Sequence, residues 1–239
     1  MKAGERLKRF FWPTTLCVLC GGGSDRRHPG LCAECYGEIL ARRERLCFCG
    51  RCGRFYPETF RECPHCYMEP RRFPKNGLFA AVPYEDAAAA LVKKVKYGGR
   101  RDLVFAMARL FFRLSEIDGD FDVVTAVPLH GKKQKQRGFN QSEDLARAIA
   151  EGMDLPFERL LRRVVDTPSQ TTLPYRQRLV NVKGAFVVPE PAKAAGRRIL
   201  IVDDVVTTGA TSLECVRALK EAGAERAAVG AFAAGRSQV

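Results

Sequence analysis

Four apolar residues, Ile199-Leu-Ile-Val202, run directly into two adjacent carboxylates, Asp203 and Asp204. Val205 and Val206 follow, then Thr207-Thr208-Gly209-Ala210-Thr211, and then a helical pattern that closes at Gly223. No other stretch of the chain limits the fold as tightly. A short apolar run that feeds a turn and then a helix reads as a buried parallel strand with its crossover helix. In an open sheet of that kind, ligands sit beyond the carboxyl ends of the strands. The helix presents unpaired backbone N–H groups and the positive end of its dipole there, which suits a phosphate. Gly209 lets the backbone approach such a group with no Cβ in the way, and the threonine hydroxyls add donors. The two acids meet a different need. Two adjacent carboxylates can accept hydrogen bonds from the two hydroxyls of a ribose, and they can draw in magnesium, which favours oxygen ligands.

The loop is not a Walker A sequence, since no lysine follows the glycine, and the G-x-G-x-x-G spacing of a dinucleotide fingerprint is absent. Residue for residue, it resembles the phosphoribosyl-pyrophosphate (PRPP) signature of the type I phosphoribosyltransferases. The resemblance implies that Asp203 and Asp204 are the catalytic-site pair that binds the ribose hydroxyls. It implies that Val205, Val206, Thr207, Thr208, Gly209, Ala210 and Thr211 wrap the 5-phosphate.

The flanking sequence alternates strands with helices. Residues 78–84, 121–127, 198–202 and 227–233 read as strands, with a short one at 185–188. Residues 87–97 read as a helix stopped by Gly98-Gly99, and 102–115 repeat apolar residues at helical spacing. Residues 142–151 read as a helix capped by Ser142 and ended by Gly152, and 211–222 as one closed by Gly223. The alternation predicts an α/β domain over 78–239, a mostly parallel sheet flanked by helices. Two more loops bear on the site. Pro128 and Leu129 open a basic loop with Lys132, Lys133, Lys135 and Arg137, suited to the charge of a pyrophosphate at the same sheet edge. The long polar stretch 167–181 carries Gln170, Arg176 and Arg178. It reads as a lid, and phosphoribosyltransferases have a mobile loop at this place in the order.

The first part of the chain differs. Nine of the ten cysteines lie between Cys17 and Cys66. Cys17-x2-Cys20 with Cys32-x2-Cys35 makes one set, and Cys49-x2-Cys52 with Cys63-x2-Cys66 another. Tetrahedral zinc needs four thiolates, so each set predicts one structural ion, with no position left open for catalysis. Pairing interleaved between the sets also fits the spacing, and Cys47 and His65 stand by as spare ligands. The module spans 1–70, with the Pro- and Gly-containing 67–77 as linker, and zinc replaces the hydrophobic core it lacks. Cys215 reads as a small buried hydrophobe. No apolar run approaches the roughly 18–20 residues of a membrane helix. The basic, aromatic stretch 1–16 makes a poor secretory signal and reads as a short docked helix, so the expected location is the cytoplasm, with reduced thiols. Net charge is +13, and 15 basic against 8 acidic residues place +7 of it in residues 1–75. That balance favours polyanionic partners: nucleic acid, phosphorylated metabolites, or both.

Taken in order, the Cys knuckles, Lys93-Lys-Val-Lys-Tyr-Gly-Gly99, Pro128-Leu129 through Arg137-Gly-Phe-Asn-Gln141, and the Asp203-Asp204 loop resemble the ComF family of competence and DNA-utilisation proteins. Ser169-Gln-x-x-Leu173, Arg178, Asn181 and Phe186 also match, so the resemblance covers nearly the whole chain. Cys47 and the lysine-rich 131–136 tract are departures. The resemblance implies a zinc finger on a type I phosphoribosyltransferase-like domain that binds PRPP. It implies a cytoplasmic role with single-stranded DNA taken up in natural transformation, beside a helicase-type partner. Two alternatives stand beside it. One is an active phosphoribosyltransferase that moves ribose 5-phosphate from PRPP to a nucleobase or amine with Mg²⁺. The other is a zinc-stabilised protein–protein adaptor.

Overall fold

A computed structural model of the chain describes residues 16–25, 28, 30–68, 73–74, 76–166 and 182–236. The chain forms helix α1 (Ala33–Glu44), a hairpin of β1 (Leu46–Cys49) and β2 (Arg54–Pro57), and a single turn α2 (His65–Met68). Strand β3 (Leu78–Pro83), α3 (Asp86–Gly98), α4 (Val104–Leu114), β4 (Val123–Ala126), α5 (Gly131–Arg137) and α6 (Gln141–Met153) follow. A small pair, β5 (Arg162–Arg163) and β6 (Phe186–Val187), precedes β7 (Arg198–Val206), α7 (Ala210–Glu221) and β8 (Arg226–Arg236). The α/β architecture is as expected: β3, β8, β7 and β4 lie side by side and parallel.

The apolar run 199–202 is uninterrupted because both faces of β7 are covered. Ile199 and Ile201 enter the core on one face, with Ala218 and Leu219 of α7. Leu200 and Val202 enter the core on the other, with Leu91 of α3, Phe111 of α4 and Ile149 of α6. Strand β8 is built largely from alanine, and at Gly230 a Cβ would stand 2.9 Å from the Phe111 ring, so only glycine admits that ring against the strand.

Several boundaries differ from the sequence reading, each for a local reason. Strand β7 continues past Val202 to Val206 because β8 keeps pairing with it, through Asp203↔Ala231, Val205↔Ala233 and Val206↔Ala234. Asp203 and Asp204 are therefore strand residues, not loop residues. The basic tract after Pro128 is helical over α5, and Gly138, in the left-handed conformation at φ 78°, closes it. Ser142 is not the cap of α6. Asn140 is, accepting from the Ser142 N–H, and the helix ends on a left-handed Asp154 rather than at Gly152.

The cysteine-rich segment also shares the core of the main sheet. Strand β2 pairs in parallel with the last residues of β8, Arg54↔Gly235 and Phe55↔Arg236, so the sheet has six strands. Leu46 and Phe55 pack into the α7-side core, and Cys17, Val18, Leu31 and Ile39 into the opposite one. No helix among the described residues is long and apolar enough to cross a membrane.

Phe232 is fully buried where β8 meets the core that α4 also enters. Phe232→Ala leaves a ring-sized void and is expected to lower the unfolding free energy by about 3–5 kcal/mol in urea titration. A loss under about 1 kcal/mol would contradict this packing.

Candidate functional site

Strand β7 carries both acids into the interior, where each is more than nine-tenths buried. Asp203 Oδ1 accepts from Ser142 Oγ at 2.9 Å and from the Asp204 N–H at 2.9 Å. Asp204 Oδ1 accepts from the Val205 N–H at 2.9 Å, and its Oδ2 lies 3.1 Å from Lys96 Nζ near the end of α3. Burial and the neighbouring Asp204 carboxylate push Asp203 up from the usual value near 3.8 to about 7, against the pull of Ser142 and Lys96. Burial alone lowers Lys96, but the Asp204 carboxylate outweighs it and raises the ammonium. One cation thus serves two carboxylates. Val205 and Val206 finish the strand, Thr207 to Gly209 form the turn with Gly209 at φ 74°, and Ala210 and Thr211 open α7. The first N–H groups of α7 have no acceptor within the helix, and that of Ala210 lies 3.4 Å from Thr208 Oγ1.

Pro128 and Leu129 leave the end of β4, where Asn140 Nδ2 donates to the Val127 carbonyl at 3.1 Å and ties the start of α6 to that strand. Lys132, Lys133 and Arg137 lie on α5. Lys132 Nζ and His130 Nδ1 each sit 3.3 Å from an Asp166 oxygen. Burial, with Arg163 and Arg137 nearby, lowers Lys133. Arg137 donates to Gln141 Oε1 at 2.7 Å and lies 5.5 Å from the centre of the Tyr97 ring. Gln170, Arg176 and Arg178 fall in 167–181, outside the described residues.

The eight cysteines form two groups, Cys17, Cys20, Cys32 and Cys35, and Cys49, Cys52, Cys63 and Cys66, with the Sγ atoms of each group within 4.8 Å of one another. The pairing is therefore sequential, not interleaved, and Cys47 and His65 belong to neither group. Cys20 and Cys32 sulfurs are 3.7 Å apart, Cys49 and Cys66 3.6 Å, and Cys52 and Cys63 3.5 Å. A disulfide needs about 2 Å. A tetrahedron with metal–sulfur bonds of about 2.3 Å has edges near 3.8 Å. Both groups fit a structural metal ion such as zinc. Backbone N–H groups around Cys17 outweigh its burial and lower it to about 6, while burial and its neighbours raise Cys35. A cation among the four sulfurs removes that conflict by holding every one as thiolate.

A phosphoribosyl transferase domain family matches residues 138–239. The DNA utilization protein YhgH of Salmonella typhimurium is 32% identical over 216 residues, which cover 87% of this chain and 92% of that protein. The chain belongs to the ComF/YhgH family. Competence protein F of Haemophilus influenzae is 27% identical, over 87% of this chain and 92% of its own length. Competence protein ComFC of Bacillus subtilis is 28% identical, over 87% and 84%. Among solved structures, a glutamine PRPP amidotransferase from B. subtilis aligns with 59% of this chain and 30% of its own, at 24% identity and a TM-score of 0.41.

Three residues at the site of this ComF/YhgH chain had no site role in the sequence reading, although Lys96 stands in the matching 93–99 motif. Lys96 lies four positions after Val92, on the buried side of α3, and a lysine on an apolar face was the available signal. Ser142 was read as a cap, and its hydroxyl instead serves Asp203. Half-buried Arg163, on two-residue β5, lies 5.4 Å from the Phe186 ring centre and within electrostatic reach of Asp203 and Asp166. No periodicity marks so short a strand.

Two outcomes are expected. The folded protein holds Asp203 above its unfolded value, so this group favours the native state most below about pH 4 and less as pH rises to about 7. Asp203→Asn removes that dependence, and its gain in melting temperature should be larger at pH 8 than at pH 5; equal shifts would refute the raised value. The purified protein should carry one zinc per cysteine group by atomic emission. Cys47→Ser should leave the content unchanged, and Cys52→Ser should remove one equivalent.

Proposed function

We propose that the protein binds PRPP or a related ribose phosphate beyond the carboxyl ends of β7 and β4. We propose that it uses this module in DNA uptake, handling single-stranded DNA in the cytoplasm beside a helicase-type partner. The observation that carries the first part is the buried Asp203–Asp204 pair set immediately before the Thr207–Thr211 turn and the start of α7. The names of the relatives, competence and DNA utilisation, together with a net charge of +13, support the second.

In this reading Asp203 and Asp204 accept from the ribose hydroxyls. Val205 to Thr211 supply N–H and hydroxyl donors to the 5-phosphate. Lys132, Lys133 and Arg137, with the backbone at Pro128 and Leu129, face the pyrophosphate, and Gln170, Arg176 and Arg178 complete that side. The clustered oxygens of the acids and the ligand suit Mg²⁺, which supplies charge neutralisation to a departing pyrophosphate. Lys96 holds Asp204 in place until a ribose takes over the carboxylates.

Calorimetry with PRPP and Mg²⁺ tests the site. The Asp203→Asn/Asp204→Asn double variant should bind at least about tenfold more weakly, since hydrogen bonds to charged groups are each worth about 1.5–3 kcal/mol. Unchanged affinity removes the basis for the assignment. Fluorescence anisotropy with a labelled single-stranded oligonucleotide tests the role: binding should fall steeply with salt, and no shift at low salt defeats it. The intact pair of acids on β7, with the cations of α5 following the neighbouring strand β4, also favours a second reading, an active phosphoribosyltransferase. Pyrophosphate release across a panel of bases and amines decides it, and no release with any acceptor counts against turnover.

A further inference from the structure

The two cysteine groups back opposite faces of the sheet. The first reaches the α3, α4 and α6 side through Cys17, Val18, Leu31 and Ile39. The second lies on the α7 side, and three close approaches, two of them through intermediary residues, lead from it to the turn between β7 and α7. Gly53, next to the ligand Cys52, has a Cβ position 3.4 Å from Val206 Cγ1, the last residue before the turn. Arg54 pairs with Gly235 of β8, whose own Cβ position is 3.5 Å from the Thr207 carbonyl oxygen. Phe73, 4% exposed, donates its N–H to the carbonyl of Arg51 at 2.9 Å, between the ligands Cys49 and Cys52. Its ring edge stands 3.0 Å from where a Cβ would be on Gly209. The knuckle 49–53 therefore lies against Val206, the strand residue before the turn, and reaches Thr207 only through Gly235 and Gly209 only through Phe73.

We infer that the second cysteine group is the buttress of this turn, so that metal held by Cys49, Cys52, Cys63 and Cys66 and a sugar phosphate held by the turn favour each other's binding. The first group has no part in the coupling. The inference rests on the reading of the turn as a phosphate cradle. The physical link is pre-organisation. A row of N–H donors binds a phosphate well only if its backbone is already held in place. Here the holding surfaces are Gly53 and Phe73, and their positions depend on a knuckle that folds around its metal. Without a cation nothing draws the four sulfurs together, and the loosened knuckle then withdraws support from Val206 and Gly209. Coupling between two binding events is reciprocal, so the phosphate must also retard loss of that metal.

The test uses the full-length, metal-loaded protein, ribose 5-phosphate and a chromogenic zinc chelator. In the unsubstituted protein, ribose 5-phosphate should slow release of one metal by on the order of tenfold and leave the other unaffected. In Cys20→Ser, which keeps only the second centre, the remaining metal should be the protected one. In Cys66→Ser, which keeps only the first, release should be insensitive to the ligand, and calorimetric affinity for ribose 5-phosphate should drop about tenfold. Phe73→Ala should keep its full metal content and circular dichroism spectrum, yet bind ribose 5-phosphate about tenfold more weakly and lose the protection, with Phe73→Leu restoring part of both. Phe73→Ala keeps the question decidable even where a cysteine variant does not fold. Equal protection of both metals, or a Phe73→Ala protein that matches the unsubstituted one, overturns the coupling alone. Failure of ribose 5-phosphate to bind the unsubstituted protein overturns the cradle reading and the coupling with it.

Discussion

Two adjacent carboxylates at the end of a central strand are expensive to bury, and much of the surrounding architecture answers that expense. An ionised carboxyl in a low-dielectric interior must be paired or hydrogen-bonded. Asp203 draws on Ser142 of α6 and on the backbone of Asp204; Asp204 draws on Val205 and on Lys96 of α3. Helices from two different crossovers are thereby tied to one strand at one level. The compensation is incomplete, as the raised Asp203 proton affinity shows, and a site left short of donors is a site prepared to accept them from a ligand.

The sheet makes that placement possible. Strand β8 is bracketed by β7 on one side and β3 on the other, and its alanines keep the helical layers close. Its length matters more than its composition. By continuing to Arg236 it extends β7 beyond the apolar run, which buries the acids, and it offers a berth to β2, which brings the second cysteine group near the Thr207–Gly209 turn. The first group occupies the other side of the same sheet. Two knuckles of nearly identical spacing thus acquire different neighbours from topology alone.

The fold class and the pairing of acids with a turn and a helix were legible in the chain, because burial on both faces leaves a continuous apolar run and because the turn residues are distinctive. The depth of the acids was not. Residues 234–236, Ala-Gly-Arg, carry no strand signal, so nothing local announced that pairing would continue. Asn140 and Ser142 are equally good caps by residue type, and only the position of Asp203 sends the serine elsewhere. Loops of eleven and ten residues between the Cys-x2-Cys pairs permit either pairing, and the sulfur positions decide it. Lys96 stood in a recognisable motif, but its ion pair was not legible there, because the carboxylate partner lies far along the chain.

The berth of β2 on β8 joins Arg54 and Phe55 to Gly235 and Arg236, far apart along the chain. During synthesis the hairpin is made long before Gly235 and Arg236, so it first exists without its sheet neighbour. A hairpin of two four-residue strands does not hold its shape in water unaided. Four converging sulfurs give it a means to do so, since metal capture can fold a segment that has no core of its own. The second cysteine centre is in this sense a placeholder, keeping an early-made piece in register until β8 arrives to receive it.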